Sequence, residues 1–359
     1  MTHFLQDILR QPEELRRAIE YLSDGAGVRS LREAAAAVRK ARRVFLTGIG
    51  SSWHAALSVA PLWYSAGFPV YMQDASELLQ FTAIPPDSVL IAISRSGRSM
   101  EIVNLLIKAR ESGSAVIGIT NCEDGPLAQE AQIAICVPAA LDHAISVNTY
   151  STLAAAVGAL ACSTTGQFER PLAVALQDSI KAAGTRLGDW QEQIAESSWL
   201  ASSGATYFLA RGCSLGSCHE TRLLWEEGVK SPATAMGIGT FRHGPQEIVN
   251  RNLRFGLWID ARKMRPQDIS VAADLRRLGA SVLLIGQDLP AQAADHVFQL
   301  PPVLPEWQFL IDIIPAQLLA ETAARRAGVD CDSFRLCSYI VEDEYGLMGA
   351  EVTERNPGI

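Results

Sequence analysis

Residues 44–67, VFLTGIGSSWHAALSVAPLWYSAG, pass from a short apolar run through two glycines into a long segment rich in small residues. The run VFLT, bounded by glycine, reads as a buried strand. The segment that follows reads as a helix, opened by serines suited to capping. The same sequence of strand, loop and helix recurs on either side. Further strands are expected at PVYMQD (69–74), SVLIAIS (88–94), AVIGIT (115–120) and IAICVP (133–138), with helices such as SMEIVNLLIKARESG between them. Continuous apolar strands alternating with helices imply a parallel sheet covered on both faces. On the N-terminal side, Gln11-Pro12-Glu13-Glu14 is expected to start one helix and SLREAAAAVRKA (30–41) to form another.

The theme restarts later. A helical stretch from about 149 to 200 gives way to ATYFLARGCSLGSCHE (205–220), RFGLWID (254–260), SVLLIGQD (281–288) and HVFQLPP (296–302). FLARG echoes FLTGIG, and DLRRLGASVLLIG echoes IKARESGSAVIGIT. The 359 residues therefore read as two copies of one α/β domain, at about 150 residues each. The connecting segment is helical and not Gly/Ser-rich, so the halves are expected to pack.

Composition excludes several functions. Hydrophobic residues are 48% and charged residues 19%, a globular and not a disordered balance. The net charge of −8 argues against nucleic acid, whose phosphates demand Lys and Arg. No apolar run approaches the roughly 18 residues of a membrane span, and MTHFLQDILRQPEELRR lacks the apolar core of a secretory signal. The seven cysteines are odd in number, contain no CxxC, and several sit in apolar runs. Free thiols in a cytoplasmic, reducing setting are expected, with no zinc site.

Chemistry is expected where strands end and helices begin. Two loops there are crowded with small hydroxyls: Gly48-Ile49-Gly50-Ser51-Ser52 and Ser94-Arg95-Ser96-Gly97-Arg98-Ser99. Helix N-termini offer unpaired N–H groups and partial positive charge, and serines add donors. Two such loops in one domain point to a phosphate monoester more than to simple capping. A dinucleotide is disfavoured, because the third glycine of that fingerprint falls at Trp53, although Asp74 could reach a ribose. The second half has Arg211-Gly212-Cys213-Ser214 in the equivalent loop and no second serine loop.

GIGSSWHA and SRSGRS resemble the two phosphate loops of SIS (sugar isomerase) domains. The tandem arrangement resembles the isomerase half of glucosamine-6-phosphate synthase and its deaminase and deglycase relatives. Phe241-Arg242-His243-Gly244-Pro245, with Glu227 sixteen residues before His243, is the most specific element of the likeness. The resemblance implies an α/β fold of two tandem SIS domains, each a flavodoxin-like three-layer sandwich. The expected divisions are a helical arm (1–30), the phosphosugar-binding domain (31–175), a helical linker (176–200), the domain with the catalytic pair (201–340) and a tail (341–359). It implies that Gly50, Ser51, Ser52, Ser94, Arg95, Ser96, Ser99 and Ser146 bind the phosphosugar, Arg95 standing where glutamine is often found. Glu227 is implied as the base that moves a proton between C1 and C2. His243 is implied in ring opening, supplied across the two-fold axis of a homodimer. No metal or organic cofactor is implied.

Departures from the family narrow the expectation. The chain begins Met1-Thr2-His3 with no cysteine after Met1, so no glutaminase activity is expected. The tail motif of the synthases is matched at Asp330, Asp332 and Arg335, but its lysine falls at Tyr339, and a second family lysine falls at Leu224. The expected activity is therefore isomerisation, or amine release from a fructosamine or glucosamine phosphate. A sugar-phosphate sensor without catalysis is the alternative, and Glu227 together with His243 argues against it.

Overall fold

The computed structural model describes residues 1–201, 204–341 and 343; most of the segment expected as a tail lies outside them. The first half holds β1 (Arg43–Thr47), β2 (Tyr71–Met72), β3 (Ser88–Ile93), β4 (Ala115–Thr120) and β5 (Ile133–Cys136). Its helices are α1 (His3–Ser23), α2 (Gly27–Lys40), α3 (Ser51–Ser65), α4 (Ala75–Phe81), α5 (Met100–Ser112) and α6 (Pro126–Glu130). Three helices follow, α7 (Asn148–Thr164), α8 (Arg170–Thr185) and α9 (Leu187–Glu196). The second half holds β6 (Thr206–Ala210), β7 (Ala233–Gly237), β8 (Arg254–Ile259), β9 (Ser281–Gly286) and β10 (His296–Gln299). Its helices are α10 (Ser214–Leu224), α11 (Ile238–Phe241), α12 (Arg265–Arg277) and α13 (Ile314–Ala327).

The strand orders are β2-β1-β3-β4-β5 and β10-β9-β8-β6-β7, all parallel. Read from each half's own first strand, the two orders are the same, 2-1-3-4-5. The order reverses between β1 and β3, and ligands in such sheets bind in the crevice at that point. The strands are buried because helices cover both faces; every residue of β3 and of β8 is buried. α7 is buried along nearly its whole length, packed by α1, α2 and α3, and α3 packs in turn on α10. Helix α7 is thus core, and the packing of α3 on α10 brings the two halves together.

Three elements differ from the sequence expectation. Helix α1 starts at His3 and not at Gln11, with the Thr2 hydroxyl accepting from Leu5 N at 3.1 Å. Pro12 lies inside it, where it removes one backbone donor. The apolar face of Phe4, Ile8, Leu15, Ala18, Ile19 and Leu22 is buried on either side of the proline and keeps the helix continuous. Strand β2 shrinks to two residues, pairing only Phe45 with Tyr71 and Leu46 with Met72. Strand β7 was absent from the expectation. It is an edge strand of Ala-Thr-Ala-Met-Gly in which every residue is half-buried, so it carries neither an apolar run nor an alternation.

Candidate active site

The carboxyl ends of β1 and β3 deliver the two serine loops to one cavity of about 380 Å³. Gly50 caps α3 at φ +56°, a conformation open to glycine and costly for other residues. Gly97 bends the second loop at φ +65°, and a Cβ there would meet Leu127 Cβ at 2.9 Å. The cavity is lined by Gly50, Ser51, Ser52, Ser94, Arg95, Ser96, Ser99, Ser146 and Glu227. The loops thus aim the N-termini of α3 and α5, with their partial positive charge, at one space.

The hydroxyls in these loops have different duties. Ser94 Oγ accepts from Gly97 N at 3.0 Å, and Ser96 Oγ accepts from Arg98 N at 3.2 Å, so both shape the turn. Ser99 caps α5 without a side-chain bond, and its hydroxyl is buried with no partner. A buried hydroxyl left unpaired costs free energy, which a ligand oxygen would recover.

Ser146 is held from behind. Asp142, 3% exposed, accepts from the backbone N–H of Val147, Asn148 and Thr149 and from the Thr149 hydroxyl. This network fixes the loop that carries Ser146 into α7. Arg95 Nη1 donates to Ser146 Oγ at 3.2 Å, and Nη2 donates to the Tyr339 carbonyl at 2.9 Å. The Arg95 guanidinium lies 3.9 Å from the centroid of the Tyr339 ring, and the Tyr339 hydroxyl donates to the Asp142 carbonyl. Residues 337–341 form one wall of the cavity, and the Val341 carbonyl accepts from Met100 N at the start of α5.

Glu227 arrives from the second half on a π-helical turn, Trp225–Val229, that ends α10. Such turns re-aim side chains within a helix and recur at functional sites. Burial pushes its carboxyl up to about 7, reinforced by the charge of Glu220 and, less, of Glu226; Arg95 and Lys230 oppose the rise. Lys230 Nζ donates to the carbonyls of Glu227, Asp330 and Ser333 and pins the turn to the chain beyond α13. Asp332 in turn accepts from His3 N and Phe4 N, both at 2.8 Å, at the start of α1.

The structure brings all eight phosphosugar candidates, Gly50, Ser51, Ser52, Ser94, Arg95, Ser96, Ser99 and Ser146, to the same cavity as Glu227. His243 stands apart. It follows α11 on an exposed turn and does not line this cavity within one chain. Asp74, the possible ribose contact, instead caps α4, accepting from Ser76 N and Glu77 N. Asp142 and the contact between His54 and Glu220 escaped sequence reasoning, whereas Tyr339 was noted only as the position of a missing family lysine. His54 Nδ1 and Glu220 Oε2 lie 2.7 Å apart and buried, tying α3 to α10. Only the spacing of seven residues between Glu220 and Glu227, two helical turns on one face, could have signalled it.

Comparison with known families matches residues 37–163 to the SIS domain model. That stretch of the chain is similar to a SIS domain. The strands β1 to β5 and both serine loops lie inside the match, and the second sheet repeats its strand order. A glutamine–fructose-6-phosphate aminotransferase (isomerizing) of Symbiobacterium thermophilum is 28% identical over 93% of this chain. That of Bacillus subtilis is 26% identical, also over 93%. The chain spans 58% and 57% of the lengths of these relatives. Among solved structures, the C-terminal domain of glucosamine-fructose-6-phosphate aminotransferase from Francisella tularensis superposes with a TM-score of 0.80 at 20% identity, covering 92% of this chain and 97% of that one. Tagatose-6-phosphate ketose/aldose isomerase from Escherichia coli gives 0.79 at 22% identity, covering 92% and 94%. Glucosamine-6-phosphate deaminase from Thermotoga maritima gives 0.77 at 18% identity, covering 95% and 99%. These likenesses show a shared fold over nearly the whole chain. Among the described residues, no helix is long and apolar enough to cross a membrane.

Proposed function

We propose that this protein is an enzyme that binds a hexose phosphate or amino-sugar phosphate and enolises it across C1 and C2, releasing an amine where the sugar carries one. The observation that carries the reading is the placement of a carboxyl poised near pH 7 in the same cavity as two serine-lined helix N-termini. The phosphate occupies the loops of Gly50–Ser52 and Ser94–Ser99, with the Ser99 hydroxyl as a donor free to receive it. Ser146 and Arg95 face the sugar chain. Glu227 as carboxylate takes a proton from C1 of a ketosamine phosphate while O2 gains one from the substrate's own ammonium nitrogen, leaving an enaminol. The carboxyl then returns its proton to C2, and C1 becomes an iminium. Water adds at C1, the C–N bond breaks, and the products are an aldose phosphate and the free amine, with one water consumed. A base whose pKa lies near the working pH can both take and return that proton.

His243 is assigned to ring opening from a second copy of the chain, as an exposed imidazole that can both accept and donate a proton. Leu224 and Tyr339 stand where the synthases carry lysines, which favours amine release over amine transfer.

The test is an amine-release assay with fructosamine 6-phosphate and glucosamine 6-phosphate, beside an interconversion assay with fructose 6-phosphate. Amine release from either amino compound supports the reading. Interconversion of fructose 6-phosphate with no amine release from any compound rejects the amine step and leaves an isomerase. Binding with no turnover of any compound rejects catalysis.

A further inference from the structure

The two sheets share one strand order, so the fold has two crevices where that order reverses. The phosphosugar cavity fills the first, at the loops after β1 and β3. The loops after β6 and β8 border another cavity, of about 350 Å³, close to the first in size. Gly212 and Cys213 line it from one loop and place the N-terminus of α10 on this space. Asp260, Arg262 and Lys263 line it from the other, and the last turn of α3, at Ser65, forms a further wall. The halves thus exchange parts. The chain at the end of α10 brings Glu227 to the first cavity, and α3 ends on a serine at the second. The second cavity therefore has no counterpart of the proposed base in that place.

The charges around it select an anion. Asp260 is engaged within its own loop, where Oδ1 accepts from Arg262 N at 2.7 Å and from Lys263 N at 2.6 Å. Glu306, on the same rim, faces Arg262 at 3.7 Å. The Lys263 ammonium has no hydrogen bond or ion pair among the described residues. Cys213 is 8% exposed, and its thiol has no hydrogen-bond partner either. Burial pushes that thiol's pKa up, so it stays protonated as a donor. An unpaired ammonium, a buried thiol and a helix N-terminus then face one space, and together they suit a phosphate group.

We propose that the cavity at the β6 and β8 loops binds a phosphate monoester of about hexose size, held by Lys263 against the N-terminus of α10. It is a site for binding and not for turnover. This inference does not depend on amine release.

The experiment is titration calorimetry with glucitol 6-phosphate, which has no carbonyl to enolise, on the wild type, Ser99→Ala, Lys263→Glu and Lys263→Arg. Lys263 is exposed, so its variants leave the core intact. The wild type is expected to take up two equivalents per chain. Lys263→Glu should weaken one of them by about tenfold or more, Lys263→Arg should keep both, and Ser99→Ala should weaken only the other. One equivalent in the wild type, unaffected by Lys263→Glu, overturns the second site while the phosphosugar cavity stands. Two equivalents that both survive Lys263→Glu overturn it as well, because the second ligand then sits elsewhere. One equivalent that Lys263→Glu removes and Ser99→Ala leaves upholds the second site and overturns the reading of the first cavity. No uptake by the folded wild type overturns both.

Discussion

Replacing Glu227 by glutamine should make stability less dependent on pH, in a direction opposite to that of most carboxylates. The folded carboxyl is held up to about 7, chiefly by burial, against an ordinary 4.5. Between those values the unfolded chain has released its proton and the folded chain keeps it. Wild-type stability therefore falls as pH rises through this window, and the glutamine, which cannot titrate, escapes that loss. A gap of about 2.5 pH units at about 1.4 kcal/mol each sets a ceiling of about 3.5 kcal/mol. The side chain borders a cavity that admits water, so about 2 kcal/mol is the working figure. At about 2.1 cal/mol/K per residue, the 359 residues correspond to about 0.75 kcal/mol/K, and 2 kcal/mol to about 3 °C. The assay is a thermal melt of both proteins at pH 5 and pH 8.5. The Tm of Glu227→Gln, relative to wild type, should rise by about 3 °C between the two. Other titrating groups, such as the buried Asp312, are common to both proteins and cancel. A Tm difference that does not change with pH would refute the claim that this carboxyl is buried and poised.

Three further outcomes are expected. Ser99→Ala removes a buried hydroxyl with no partner; the apo Tm should hold or rise slightly while affinity for a hexose 6-phosphate falls about tenfold, read by titration calorimetry. Glu220→Gln removes the largest charge contribution raising Glu227, so the acid limb of the kcat/KM profile should move from near pH 7 to lower pH, and an unmoved limb would contradict the coupling. Asp332→Ala takes the acceptor from two N–H groups at the start of α1 and should cost about 1–2 kcal/mol, seen as a lower melting temperature; an unchanged melt would mean the tail is not a cap.

The serine loops were legible in the sequence because their chemistry is local. Each glycine and serine sits between a clear strand and a clear helix, and the same residues that cap α3 and α5 line the cavity. Glu227 was legible only through its spacing from His243, since LLWEEGVK reads by itself as a solvated helix face. What buries it is the π turn and residues 334–341, which return from beyond α13, and no local pattern announces that return. Tyr339 over Arg95 and Asp142 beneath Ser146 are contacts of the same kind, joining segments far apart in sequence. Strand β7 was missed for a different reason, because an edge strand of small residues needs little apolar surface to be held by its one neighbour.

The central claim is that Glu227 moves a carbon-bound proton of a bound phosphosugar. The most direct measurement is exchange of the C1 hydrogen of fructose 6-phosphate or its amino analogue in heavy water, followed by proton NMR, in the wild type and in Glu227→Gln. Loss of the C1 signal with wild type, and its persistence with a Glu227→Gln variant that still binds the ligand, is the expected result. A wild type that binds the phosphosugar yet leaves the C1 hydrogen in place, or a variant that exchanges it as fast, would contradict the claim.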